Sequence, residues 1–249
     1  IDIPPLKVRE MSLVNTTDID VVFSRSFDIN SVQTSDFILN PGGISPQSAV
    51  QQNSETVRLS FANAISSGPS SLTAKTIEDA ANQSTLTDTT LSFFVYDAFQ
   101  INDVVINEFL KDPPSGAVEY VELKNTTSKF LNLKNWQLGD NSSFSALSNA
   151  DFTLLPDSFV VVSSDTSALR SFYGTAHYLE SPLPAFNNGE DQIRLVNAAG
   201  VPIDSLQYDA SWDGVKVALE RRDASVASIY KENWGESPHP NFGTPGFSN

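Results

Sequence analysis

The sequence predicts an all-β chain folded as two consecutive sandwiches, on three observations. Short runs alternate apolar with polar residues, the period of a strand with one buried face. Clusters of Gly, Pro, Asn and Ser separate these runs at the spacing of strand-joining turns, and no long segment carries the helical period. The 249 residues are 40% hydrophobic and include sixteen Phe and three Trp, enough for two ordinary cores.

Taken in order, DIDVVF (18–23) buries Ile19, Val21 and Phe23 on one face, and TVRLSF (56–61) repeats the pattern with Val57, Leu59 and Phe61. LTAKTI (72–77) and LSFFVY (91–96) complete an apolar set. Between them NPGGISP (40–46), SSGPSS (66–71) and EDAANQS (78–84) have turn chemistry. DAFQINDV (97–104) reads as the junction, too short to be a free tether. Beyond it come an I-N-E strand, a Pro-Pro turn, an E-Y-V-E-L-K-N strand and an L-N-W-Q-L-G-D strand. The unbroken apolar run Phe159–Val162 suits a strand buried on both faces, and SALRSFYG (167–174) is a short helix capped by Gly174. QIRLVNAAGVPIDSLQY reads as a hairpin turning at Ala-Ala-Gly. No internal repeat is visible.

Two stretches resemble known families. VVINEFLKDPPSGAVEYVELKNTTSKFLNLKNWQLGD (104–140), NNGEDQIRLVNAAGVPIDSLQYD (187–209), LERRD (219–223) and NWGESP…GTPG (233–246) together resemble the lamin-tail domain, an immunoglobulin-like sandwich. VVFSRSFDINSVQTSDFIL, the later VRLSF and LTAKTIEDAANQSTL resemble the Ig-like domains of bacterial surface proteins. Ala81 stands where the glycine before Asn82 usually falls in that pattern. The resemblances imply two immunoglobulin-like β-sandwiches, an Ig-like domain over 1–98 and a lamin-tail-like domain over 99–249. They also imply a secreted or cell-surface bacterial setting.

Thirty acidic against fifteen basic residues give a net charge of −15, a field that repels nucleic acid and anionic lipid surfaces. The absence of cysteine excludes disulfides, thiolate zinc sites and a cysteine nucleophile. No apolar run is long enough to insert in a membrane. IDIPP at the start lacks the features of a signal peptide, so the chain reads as a segment of a longer or processed protein.

Candidate chemistry is sparse. Glu119 and Glu122 lie three apart on one predicted strand, so they diverge, while Glu108 on another strand could share a face with one of them. All three read as exposed strand positions. His177 and His239 lack second ligands at metal spacing, and no nucleophile elbow appears. Arg221 and Arg222 in LERRD read as locally ion-paired with Glu220 and Asp223. Asp97, Asn102, Asp103, Asp140, Asn141, Asp209 and Asp213 are hard loop oxygens; Asn102 and Asp103 at the junction are the speculative calcium pair, and no other cofactor is expected. Trp136 reads as core; Trp212 and Trp234, among Gly, Asn and Pro, are the partly exposed aromatics that could bind a ligand. The sequons at Asn15, Asn82, Asn125 and Asn141 read as chance in an Asn/Ser/Thr-rich chain.

The expected function is therefore a non-enzymatic spacer, display or adhesion module of a larger extracellular protein. Its expected partners are neighbouring domains of the same chain and a cell-surface protein or glycan. The alternative is a carbohydrate-binding accessory region of an extracellular hydrolase.

Overall fold

The computed structural model describes residues 4–81 and 84–249, so the sequon residue Asn82 lies outside the described residues. The regular structure of the chain is mostly strand, and the chain divides into two compact units, residues 1–95 and 96–249. No helix among the described residues is long and apolar enough to cross a membrane.

The first unit contains β1 (Val8–Leu13), β2 (Asp18–Phe23), β3 (Phe37–Asn40), β4 (Ser48–Asn53), β5 (Thr56–Ser60), β6 (Gly68–Ala74) and β7 (Thr89–Val95). They form an antiparallel sheet in the order β1-β2-β5-β4 and a second in the order β3-β6-β7. Inward side chains of both sheets (Ile19, Val21, Phe23, Phe37, Leu39, Val57, Leu59 and Leu72) make one core. The alternation of DIDVVF and TVRLSF is seen directly in their burial. SSGPSS is partly a correction, since the strand already begins at Gly68.

The second unit continues with β8 (Val104–Leu110), β9 (Tyr120–Asn125), β10 (Leu131–Asn132), β11 (Gln137–Gly139), β12 (Phe144–Ala146), β13 (Thr153–Leu154) and β14 (Phe159–Ser163). Helix α1 (Thr166–Tyr173) follows, then β15 (Tyr178–Glu180), β16 (Asp191–Val196), β17 (Pro202–Tyr208), β18 (Leu219–Arg221) and β19 (Trp234–Glu236). A six-stranded sheet, β15-β14-β9-β8-β18-β19, faces a four-stranded one, β12-β11-β16-β17, and a two-stranded ribbon β10-β13. Their shared core contains Val104, Ile106, Phe109, Val121, Leu123, Trp136, Leu138, Ile193, Leu195 and Tyr208. Asp165 caps α1 through its side chain and Gly174 ends it at φ 87°, where a side chain would be strained.

The outer face of the six-stranded sheet is covered as well. Leu110, Tyr120, Val161 and Ala218 pack there with Leu169 of α1, and every residue of β8 is buried. An antiparallel sheet ordinarily leaves that face to water. This second covered face is where the unusual chemistry lies.

Candidate functional site

β8 pairs antiparallel with β9 and with β18, placing Glu108 directly opposite Glu122 on one side and Glu220 on the other. Three carboxyl groups thus form a row across three adjacent strands. Glu108 and Glu122 are fully buried and Glu220 is 8% exposed. Like charges directly opposite one another destabilise a sheet, and burial compounds the cost. A bulge between Ile106 and Glu108 breaks the alternation, so Ile106 and Phe109 both enter the main core while Glu108 turns outward.

The segment after β19 lies over this row as a strap. Thr244 N–H donates to Glu108 Oε1 at 2.9 Å, and Gly246 N–H donates to Glu122 Oε2. Tyr120 Oη also donates to Glu108 Oε1, and Asn107 Nδ2 donates to Glu122 Oε1 at 2.8 Å. The Thr244 hydroxyl is 3.3 Å from Glu108 Oε2 and 3.0 Å from Glu220 Oε1. Asn249 closes the end, its Nδ2 donating to the carbonyls of Asn107 at 3.2 Å and Arg221 at 3.0 Å. Ala218 N–H donates to the Phe242 carbonyl at 2.8 Å. Gly243 is required by the fit: a Cβ there would lie 2.3 Å from Tyr120 Oη and 2.7 Å from Glu108 Oε1.

Removal from water pushes the Glu108 carboxyl up to about 7, its hydrogen-bond donors only partly opposing this. Glu122 is pushed well above the usual carboxylate range by burial and then by Glu108 itself. The Tyr120 phenol is held protonated by burial and by the same glutamate. Lying opposite one another, the Glu108 and Glu122 carboxyls each oppose ionisation of the other. Both oxygens of Glu122 accept N–H donors, whereas Glu108 Oε2 faces only a hydroxyl, so Glu108 is the seat for a retained proton.

The expectation that Glu108 and Glu122 are exposed is therefore corrected. Their face is covered by residues more than a hundred positions later, which no local pattern reveals. Glu119 precedes β9 and is separate, its Oε2 accepting from Phe186 N–H at 3.3 Å.

Trp212 and Trp234 are 7% and 4% exposed, so the expectation of partial exposure is also corrected. Their rings lie 6.3 Å apart, Trp234 packs edge-on against Phe109, and its Nε1 donates to the Ser228 carbonyl at 2.9 Å. Burial with a satisfied N–H is the ordinary state of a core indole. Trp136 is in the core as expected, with Phe99 edge-on to it at 5.2 Å.

Asp103 is buried and ion-paired to Lys129, whose Nζ is 2.7 Å from Oδ2, while Gln100 N–H donates to the same oxygen at 2.7 Å. The Lys129 ammonium thus pairs with the carboxylate expected to take calcium. Asn102 stands exposed at φ 71° in a left-handed turn. Asp97, Asp140 and Asp209 accept backbone N–H groups of Phe130, of Ser142 and Ser143, and of Ser211, respectively. No group of three or more His, Cys, Asp and Glu among the described residues could hold a metal. His177 and His239 are exposed, and His177 stacks on Phe152. Asn15 and Asn141 are exposed, whereas Asn125 is buried with its amide donating to Lys129 and Leu155 carbonyls.

Arg221 is internal, but its partner is distant. Its Nη1 donates to Asp204 Oδ2 at 3.1 Å, to the Ile106 carbonyl at 3.0 Å and to Ser228 Oγ at 2.9 Å. Asp204 Oδ2 also accepts from Ile106 N–H at 2.8 Å, so the pair fastens β17 to β8 and β18 at the margin of the sandwich. The flanking Glu220 instead joins the carboxyl row, and Arg222 is exposed. Alternation along β18 accounts for the difference, since Arg221 and Glu220 point to opposite faces.

Several comparisons bear on this architecture. A comparison with curated proteins returns no match. Among solved structures, the N-terminal part of the bacterial S-layer protein SbsC aligns at 12% identity over 83% of this chain and 44% of that one, TM-score 0.35. The Bacteroides ovatus mixed-linkage glucan utilization locus protein SGBP-B, solved with a mixed-linkage heptasaccharide, aligns at 12% identity over 82% of this chain and 41% of that one, TM-score 0.22. The chain spans less than half the length of either. The family model described as Lamin Tail Domain matches residues 98–210, which contain β8 to β17 and two of the three row glutamates. Over this segment the chain is similar to the lamin tail domain family.

Proposed function

We infer that the chain is a non-catalytic module of a larger extracellular, surface-associated bacterial protein, where its sandwiches space, display or dock neighbouring domains. One observation carries this: the second unit's reactive side chains are consumed by its own architecture. The glutamate row is sealed by the strap, Asp204 and Arg221 satisfy each other, and Asp103 is neutralised by Lys129. A general acid–base pair needs two carboxyls flanking space for a substrate, and here that space is filled by Gly243 and Thr244. The lamin-tail assignment of the same unit supports a scaffold role. The finer role, adhesion to a surface protein or glycan, belongs to the same proposal.

The test is to present the full chain with polysaccharide, ester and phosphoester panels and to record both turnover and binding. We expect no turnover. Turnover abolished by Glu122→Gln would overturn the non-catalytic assignment. Saturable polysaccharide binding without turnover would favour glycan adhesion over pure spacing.

A further inference from the structure

Phe242 and Phe247 of the strap are 42% and 59% exposed, while Gly243 and Pro245 are the residues it buries. Little apolar surface therefore holds the strap down. Its contacts are mainly hydrogen bonds; those of Thr244 and Gly246 end on the glutamate row, and those of Phe242 and Asn249 end on Ala218, Asn107 and Arg221.

Those bonds do not balance if every carboxyl is ionised. The Thr244 hydroxyl has one hydrogen, yet it approaches three acceptor oxygens: Glu108 Oε2 at 3.3 Å, Glu220 Oε1 at 3.0 Å and Asn249 Oδ1 at 3.4 Å. Glu108 Oε1 already accepts from Tyr120 and from Thr244 N–H. A proton on Glu108 Oε2 removes the shortage. Glu108 then donates to Thr244 Oγ1, and Thr244 donates onward to Glu220.

We propose that the strap Asn241–Asn249 is a proton-dependent latch, closed while Glu108 carries a proton and lifting from the sheet when that proton is lost. Deprotonation leaves Glu108 buried between Glu122 and Glu220, and among the described residues no cation is ion-paired to the row. Lifting the strap readmits water to all three, and the chain gives up only a few exchangeable hydrogen bonds. The open form uncovers an acidic sheet face bearing Tyr120 and Ala218.

The groups around the row do not supply the missing charge. β9 brings Tyr120 and Glu122, and β18 brings Glu220. Helix α1 brings Tyr173, edge-on to Tyr120, and the strap brings uncharged Thr244 and Asn249. Arg222 and Glu236 line the cleft at the rim beside Glu220 and Asn249, where Arg222 donates to the Glu232 carbonyl at 3.3 Å and Glu236 accepts from Gly214 N–H at 3.0 Å. Arg221 is committed to Asp204 on the other face, and the exposed His239 ring accepts the Asn241 N–H at 3.2 Å. The latch goes beyond the scaffold role and stands or falls separately from it.

Hydrogen exchange of the Thr244 and Gly246 amides in the full chain tests it, expressed as protection after correction for intrinsic exchange and compared with β8 and β9 amides. We expect protection of the two strap amides to fall about tenfold or more between pH 6 and pH 8 while the strand amides hold. Glu108→Gln should keep the strap protected at both pH values. Gly243→Ala, which drives a Cβ into Tyr120 and Glu108, should abolish strap protection at both and so define the open state. If Glu108→Gln fails to fold by circular dichroism, Thr244→Val serves instead and should show at pH 6 the low protection of wild type at pH 8. Strap protection that tracks the strands across this range, or an unchanged pH response in the variant that folds, would overturn the latch.

Discussion

Replacing Glu108 by Gln should flatten the pH dependence of the second unit's stability. Glu108 is fully buried, and its carboxyl is raised from 4.5 to about 7 mainly by desolvation. At about 1.4 kcal/mol per unit, that rise corresponds to roughly 3 kcal/mol. The sign follows from proton counting. Between the two values the folded state holds a proton that the unfolded state has released, so stability falls as pH rises. The contribution is fully present below about pH 4.5 and lost as pH passes through about 7. Glutamine imitates the protonated acid, with an oxygen for Tyr120 and Thr244 N–H and an NH₂ toward Thr244 Oγ1. All three tryptophans, at 136, 212 and 234, lie in the second unit, so urea unfolding followed by indole fluorescence isolates it. We expect the variant to lose about 2–3 kcal/mol less than wild type between pH 5 and pH 8, the loss that remains in it coming from buried Glu122. Equal slopes for the two proteins would refute the assignment of the proton to Glu108.

Three further outcomes are expected. Arg221→Ala should destabilise the second unit by about 3–5 kcal/mol in the same urea assay, because it leaves Asp204 buried without its cation. The double replacement Arg221→Met with Asp204→Leu should cost less, and equal losses would argue against the ion pair as the cause. Trp234→Ala should cost about 3–5 kcal/mol as a core truncation, and a near-neutral effect on stability would return that indole to the candidate ligand sites. The melting temperature should be the same in millimolar calcium and in EDTA, since Lys129 already neutralises Asp103; a calcium-dependent rise would contradict this.

Much of the fold was legible because one-sided strands carry their burial in their alternation. DIDVVF, TVRLSF and the hairpin of β16 and β17 were all visible in this way. The edge strands VREMSL and SAVQQN were not, because each has one partner and a largely exposed surface, so no apolar period marks it. The site was legible only in fragments. Spacing correctly separated Glu119 from Glu122 and allowed Glu108 to join one of them. Exposure was wrongly assigned because the cover comes from Thr244 and Gly246, far away in the chain. One local signal existed: VVINEFL buries all seven residues, so its Asn-Glu step interrupts a strand apolar on both faces. The tryptophans misled for a related reason. Their Gly, Asn and Pro neighbours mark turns, but those turns fold back to seat the indoles against Phe109.

The sharing of a proton in the Glu108–Glu122–Glu220 row is most directly tested by following the side-chain carboxyl ¹³C resonances of the labelled full chain through a pH titration. One carboxyl of the row should remain protonated to near pH 7 and be missing from the titration of Glu108→Gln. Glu108 and Glu122 carboxyls that both titrate near the ordinary glutamate value of about 4.3 would contradict it.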